Sequence, residues 1–473
     1  MENIQSRPEQ SGASGESARF GILNIFPWLI SLACFLSLIP ALANVHFWAD
    51  DYINLKEFQH RFGMPFSQLN AGRPILNLYF ESFSFIFGSG SALPYALFNA
   101  FIFFFSAFLI IRARYLDYTP MDFFKKLGWV LSALLASGTC WPIFLWITNI
   151  THVSAMAFFA GFYYFSKKNS NTTTDKIILS LALLLMVACN PLYSPLTLLI
   201  VPKLFGANQD SKFGKSKSLY SQLFSGFSII LPSVLYLIFI SFPYTSLNTR
   251  YGRPSLKYFL GNLEFYKSQM CDYPFSQYCY LAIFLFATIW VLMRFSDLEL
   301  STLYLSSLLI LLYVLIQPSQ RALNYLIMPI LIYSILSFEF IGWLSNKFRQ
   351  NHFRMLAALL KITLVIFLLL GTSDVRNWAL TVGYGRETDS LRVQIAQLIP
   401  SNSRLCILLP IDQTANSWVT AGMGGPAGYL LPPINADSVQ FTSKMSCGNI
   451  ANIFNLQILG NLRSGLRARL ISN

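Results

Sequence analysis

Two adjacent carboxylates, Asp50 and Asp51, stand in the stretch NVHFWADDYINLKEF, residues 44–58, directly after a long apolar run. A carboxylate beside apolar surface has a raised pKa and can take a proton from a sugar hydroxyl. Two such neighbours can instead share a divalent cation with phosphate oxygens, or cap a helix that starts at Tyr52. Further along lies NAGRPILNLYFESF, in which Gly72 and Pro74 bracket Arg73 ahead of an apolar segment carrying Glu81. A guanidinium at headgroup depth can grip a lipid phosphate with two parallel hydrogen bonds, or simply anchor in bulk headgroups. Four other stretches carry polar groups beside apolar runs: TNITH with Asn149 and His152, CNPLYSP with Asn190 and Tyr193, NTRYGRPS with Arg250 and Arg253, and QPSQRALNY with Gln317 and Arg321. Singly, each is a helix cap or an interface anchor; gathered on one side, they form a site for an anionic, hydroxyl-rich ligand.

Whether they gather is decided by the elements that carry them. The chain is 54% hydrophobic, 16% aromatic and only 12% charged, the composition of an all-α polytopic membrane protein. Apolar runs fall near 22–42, 93–111, 127–148, 150–166, 177–189, 192–204, 219–241, 279–293, 299–316, 322–343 and 355–371. The first is too long for a signal-peptide core and reads as a retained span behind a polar, disordered segment, 1–21. A twelfth run, 75–87, reaches only about 20 Å as a helix, against a hydrocarbon core of about 30 Å. Asn77, Glu81 and Ser84 share one of its faces, so it is expected to lie in the interface or re-enter it.

The distribution of basic residues supports that choice. If 75–87 does not cross and the N-terminus is cytoplasmic, the inner segments carry Arg7, Arg19, Arg112, Arg114, Lys125, Lys126, Lys167, Lys168, Lys176, Lys203, Lys212, Lys215, Lys217, Arg294, Lys347, Arg349 and Arg354. The outer loops, including 43–92 and 242–278, carry Lys56, Arg61, Arg73, Arg250, Arg253, Lys257, Lys267 and Arg321. About 11 transmembrane helices over 22–371 result, with a C-terminal domain, 372–473, on the outer side. That domain should be a small α/β unit, with SRLCILLP as one of its strands. The net charge of +13 is scattered between apolar runs, which fits orientation signals and excludes a nucleic-acid stripe. Cys34, Cys140 and Cys189 fall within spans. Cys271, Cys279, Cys406 and Cys447 fall outside, where an even number permits the disulfides Cys271–Cys279 and Cys406–Cys447.

No phosphate-binding loop, dinucleotide fingerprint, H-E-x-x-H or C-x-x-C motif is present, and four histidines make a His-rich metal centre a poor fit. WADDY at 48–52 followed by AGRP at 71–74, with an odd number of spans and an outer C-terminal domain, resembles the GT-C superfamily of integral-membrane glycosyltransferases. Within it, the chain resembles the Gtr-type O-antigen glucosyltransferases, the serotype-converting enzymes often carried by phages. The resemblance implies an inverting enzyme in the bacterial inner membrane. It would move a sugar, glucose in that family, from an undecaprenyl-phosphate-linked donor to O-antigen or another glycan on the periplasmic face. One of Asp50 and Asp51 would be the base, and Arg73 and Arg321 would hold the departing phosphate, with His152, Arg250 and Arg253 as further donor-side groups. Glu81, Asn149, Tyr193 and Gln317 would contact substrate. A phosphate-monoester leaving group can depart without a metal, so no divalent cation is expected to be obligatory. Two other classes also have many spans: a polyprenyl-lipid or polysaccharide transporter, expected to show repeated halves with midplane charges, and a structural subunit of an envelope assembly, which needs no acid in its first loop.

Overall fold

The structure, a computed structural model, describes residues 25–43, 74–87, 92–138, 149–167, 172–202, 219–241, 255–264, 273–317, 323–350, 354–381, 384–400, 403–408, 436–442, 453–461 and 465–471. Its helices are α1 (Phe26–Ala43), α2 (Pro74–Phe87), α3 (Leu93–Arg114), α4 (Pro120–Ala136), α5 (Ile150–Lys167), α6 (Thr173–Cys189), α7 (Leu219–Tyr236), α8 (Pro274–Met293), α9 (Leu298–Ile316), α10 (Ile327–Gln350), α11 (Arg354–Thr381) and α12 (Tyr384–Leu398). One apolar core runs through this bundle from Ile30 of α1 to Val375 of α11. Among the described residues, five helices are long and apolar enough to cross a membrane: Leu93–Arg114, Phe224–Ser241, Pro274–Met293, Leu298–Ile316 and Ile327–Phe348.

Helix ends follow local signals where hydropathy misleads. The apolar run 127–148 predicts a helix there, but α4 occupies Pro120–Ala136. Thr119 starts it, its hydroxyl accepting from the Asp122 N–H at 3.3 Å, with Pro120 in the first helical position. Gly138 lies beyond its end at a φ of 79°, a backbone that other residues resist. Lys125 and Lys126 therefore stand on the helix and not in a loop. The span expected over 192–204 opens as a 3-10 helix, Pro191–Leu199, with Pro191 and Pro195 removing two backbone donors. Likewise α11 continues ten residues past the expected boundary at 371, to Thr381.

The run 75–87 does form a short helix, α2, of 14 residues. Its Tyr79 stacks on Phe98 and donates to Asn99 Oδ1 in the first half of α3. Helix directions show that the chain comes back to one end of the bundle here. Trp28, in the first turn of α1, lies against Gly128 of α4, where a β-carbon would stand 2.8 Å from the indole nitrogen. Since only five residues, 115–119, separate α3 from α4, the start of α1 sits at the α3 C-terminal end. Ala43 and Ala92 consequently both lie at the opposite end.

The C-terminal unit is a four-stranded sheet of order β2-β1-β3-β4: β1 (Ser403–Leu408), β2 (Ala436–Thr442), β3 (Ile453–Asn461) and β4 (Gly465–Ile471). Strand β1 pairs in parallel with β2 and β3, and β3 pairs antiparallel with β4. The strand expected at SRLCILLP is β1. Leu391 and Ile395 of α12 pack on Leu405, Ile407, Leu456 and Ile458, the alternation expected of a sheet covered on one face. Cys406 points to the other face and is disulfide-bonded; Cys447 lies outside the described residues.

The disulfide expected between Cys271 and Cys279 is corrected. Cys279 is a free, buried thiol in the second turn of α8, its sulfur directed at the Phe367 carbonyl of α11 at 3.6 Å. Composition placed this residue near the membrane boundary. The helix starting at Pro274 instead turns it into the bundle.

Candidate functional site

Six elements bring polar side chains to the end at which α3 and α5 begin. His152 lies in the first turn of α5 and is 2% exposed. Asn190 ends α6 in an extended conformation, and its Oδ1 accepts from the Leu192 N–H at 3.2 Å, starting the 3-10 helix. That backbone donor fixes the orientation of the amide, so Asn190 presents Nδ2 to the imidazole, 3.3 Å from Nε2 and 3.4 Å from Nδ1. The Tyr193 hydroxyl meets the same ring at Nδ1, at 2.7 Å. Tyr325, just ahead of α10, closes the group by meeting the His152 ring edge-on at 4.7 Å.

Around this centre the same end carries more buried, neutral groups. Asn149 precedes α5, and Gln317 follows α9; both are buried. Asn262 donates through Nδ2 to the Leu315 and Gln317 carbonyls at 2.7 and 2.6 Å, while its Oδ1 has no hydrogen-bond partner among the described residues. Helix α2 packs between α3, α5 and α6 at this end. On the far side of the bundle Asp374, just beyond the apolar run 355–371, caps α8 by accepting from the Ser276 N–H at 2.8 Å. Burial pushes the Asp374 carboxyl above the usual aspartate range, and the backbone and side-chain donors of Ser276 partly offset that rise.

The structure thus brings His152 and Tyr193 into contact and puts Asn149 and Gln317 at the same end. Asn190, Tyr325, Asn262 and Asp374 join them without having been placed in the expected site. Asn190 and Tyr325 sat inside stretches already singled out; Asn262 and Asp374 sit in helices whose sequence marks neither. Asp50, Asp51, Arg73, Arg250, Arg253 and Arg321 lie outside the described residues, as does the Glu81 side chain, although Glu81 belongs to α2.

The other end is built differently. Arg114, the last residue of α3, forms a two-pronged pair with Glu339 of α10, at 2.7 Å from Nε and 3.0 Å from Nη2. Its Nη1 reaches Glu299 at 3.1 Å. Glu299 also accepts from Tyr163 Oη and Lys167 Nζ, both at 2.5 Å, and Glu339 from Trp290 Nε1 at 3.0 Å. Two cations and two anions from α3, α5, α9 and α10 cancel, and every carboxylate oxygen has a donor.

No family model and no curated protein matches the chain. Two solved structures superpose on it in part. The crystal structure of ArnT from Cupriavidus metallidurans bound to undecaprenyl phosphate shares 12% identity at a TM-score of 0.48, covering 85% of each chain. The apo form of the same ArnT shares 11% at 0.45, over 84% of this chain and 83% of that one. Both scores are too low to carry chemistry across, so what this chain can do is set by its own residues.

Proposed function

We propose that the chain is a membrane-embedded glycosyltransferase of the GT-C type, with about eleven spans, that transfers a sugar from a polyprenyl-phosphate-linked donor to a glycan hydroxyl on the outer face of the bacterial inner membrane. A glucosyl donor on undecaprenyl phosphate and an O-antigen acceptor are the substrates that the WADDY and AGRP stretches favour. What supports this reading is that Ala43 and Ala92 stand at the end where His152, Tyr193, Asn190 and Gln317 lie, with the stretch bearing Asp50, Asp51 and Arg73 between them in sequence. The reading pairs that stretch's carboxylates and arginine with hydrogen-bonding groups suited to sugar hydroxyls. In the proposed reaction an ionised aspartate of the pair takes the acceptor hydroxyl proton as its oxygen attacks the anomeric carbon. The bond to the lipid phosphate breaks with inversion, and the phosphate leaves with its charge held by arginines such as Arg73 and Arg321.

The test is transfer of labelled sugar from a polyprenyl-phosphate donor by purified protein in nanodiscs. At least one of Asp50→Asn and Asp51→Asn should lower turnover about a hundredfold or more at unchanged expression, and Arg73→Ala should chiefly raise the KM for the lipid donor. Near-wild-type rates in both asparagine variants and in the double variant would reduce the acid pair to a helix cap.

A further inference from the structure

Arg112 and Lys126 belong to the ion-paired end but not to its ion pairs. Arg114 and Lys167 are neutralised by Glu299 and Glu339, and Lys125 by Asp122 at 3.1 Å. Among the described residues neither Arg112 nor Lys126 has a carboxylate within ion-pair distance. Asp117, exposed on the same turn, pairs with neither. Instead the Arg112 guanidinium lies over Phe123 at 5.2 Å and donates to the Tyr115 carbonyl at 3.3 Å. The Lys126 ammonium lies over the rings of Tyr115 and Tyr118, at 5.1 and 5.6 Å. Both cations are thus held in place by aromatic faces around the turn between α3 and α4, with donors to spare.

What approaches that turn from the side is apolar. Leu97, Phe101, Phe105 and Phe108 form one exposed stripe along α3, at the three- and four-residue spacing of a single helix face. Arg112, four residues after Phe108, ends that stripe. Phe124 and Tyr118 are exposed beside it. An acyl chain lying on such a stripe delivers its phosphate to the height of Arg112, whereas a free anion from water has no use for the aromatic track.

We propose that Arg112 and Lys126 form a binding site for the phosphodiester headgroup of an anionic glycerophospholipid, whose acyl chain lies along the Leu97–Phe108 face of α3. The site stands apart from the proposed transfer reaction and lies at the opposite end of the bundle. It holds whichever face that end presents, and on the proposed topology the lipid belongs to the cytoplasmic leaflet.

Native mass spectrometry of delipidated, full-length protein supplied with phosphatidylglycerol or phosphatidylcholine tests it. Wild-type protein should retain phosphatidylglycerol in preference. The double variant Arg112→Gln/Lys126→Gln should lose about thirtyfold of that preference, from about 1 kcal/mol per cation. Arg294→Gln/Lys347→Gln, which removes two cations elsewhere at that end, should keep it. Equal retention of the two lipids, or a preference surviving in a folded double variant, would overturn the site. So would displacement of the lipid by inorganic phosphate alone, since the determinant would then be the bare anion. Thermal unfolding of each variant in detergent separates loss of binding from loss of fold.

Discussion

The two ends of this bundle handle polarity in opposite ways. At one, Arg114, Lys167, Glu299 and Glu339 close on one another, and Tyr163 and Trp290 saturate the remaining carboxylate oxygens. At the other, the described groups are amides, a phenol and an imidazole: Asn190, Asn149, Gln317, Asn262, Tyr193 and His152, with Asp374 tied to a helix start. A network whose charges cancel internally has little left for a ligand, and its work is to fix four helices in register. Neutral donors and acceptors cost less to bury and exchange partners readily, which is what a substrate requires. The contrast fits the proposed function, with architecture at the first end and the transfer chemistry at the second.

The largest expected effect falls on the architectural end. Glu339→Gln leaves Arg114 buried with half its compensation gone, and should cost about 3 kcal/mol of stability. The double variant Arg114→Gln/Glu339→Gln should be less destabilised than that single variant, because no unpaired charge remains. Detergent unfolding curves of the set measure this, and turnover per folded molecule should not change. A large loss of turnover in folded Glu339→Gln would break the division between the ends.

Next come the hundredfold losses expected for Asp50→Asn or Asp51→Asn, which sharpen the chemical end. Tyr193→Phe should follow with a loss of about tenfold in turnover, the worth of one hydrogen bond. Its melting temperature should stay close to wild type. Asn190→Asp probes the same contact by placing a carboxylate beside the imidazole that meets Tyr193; its pH–rate profile should shift while Asn190→Gln largely preserves the wild-type profile.

The smallest effect concerns Asp374. Its carboxyl is raised in the fold, so the folded state binds this proton more tightly than the unfolded chain. The ionised form therefore carries a penalty present above the folded pKa, and that penalty is relieved as pH falls to the ordinary aspartate range. Wild type should gain stability relative to Asp374→Asn on acidification from neutral pH into that range, by unfolding at a series of pH values. A gap between the two proteins that does not change with pH would mean the cap is electrostatically silent.

Much of the framework is legible in the sequence because hydropathy and length report directly on membrane partition. Among the described residues most of the apolar runs coincide with helices, 75–87 appears as a helix of 14 residues, and SRLCILLP contains a strand. The slips come where hydropathy is blind to local backbone chemistry. Thr119 and Pro120 start α4 seven residues before its apolar run, and Gly138 lies where that run would have continued. Cys279 shows a second blindness: a boundary position says nothing about which way a helix turns the residue. Pairings such as Arg114 with Glu339, 225 residues apart, leave no local mark at all. The polar end is half legible, because TNITH and CNPLYSP advertise their polar residues, but the contact between His152 and Tyr193 arises only when α5 meets the 3-10 helix that follows α6.

One feature reaches beyond its own neighbourhood. Helix α2, at 14 residues, is a parity bit for the whole chain. At about 1.5 Å per residue it spans about two-thirds of a hydrocarbon core, and that shortfall decides whether every later connection counts as odd or even. Lengthening it by six or seven apolar residues would leave each helix after it intact in sequence, yet would exchange the compartments of the ion-paired end and the polar end for everything from α3 onward. On the proposed topology, then, the length of this one short helix sets which solution each later residue meets.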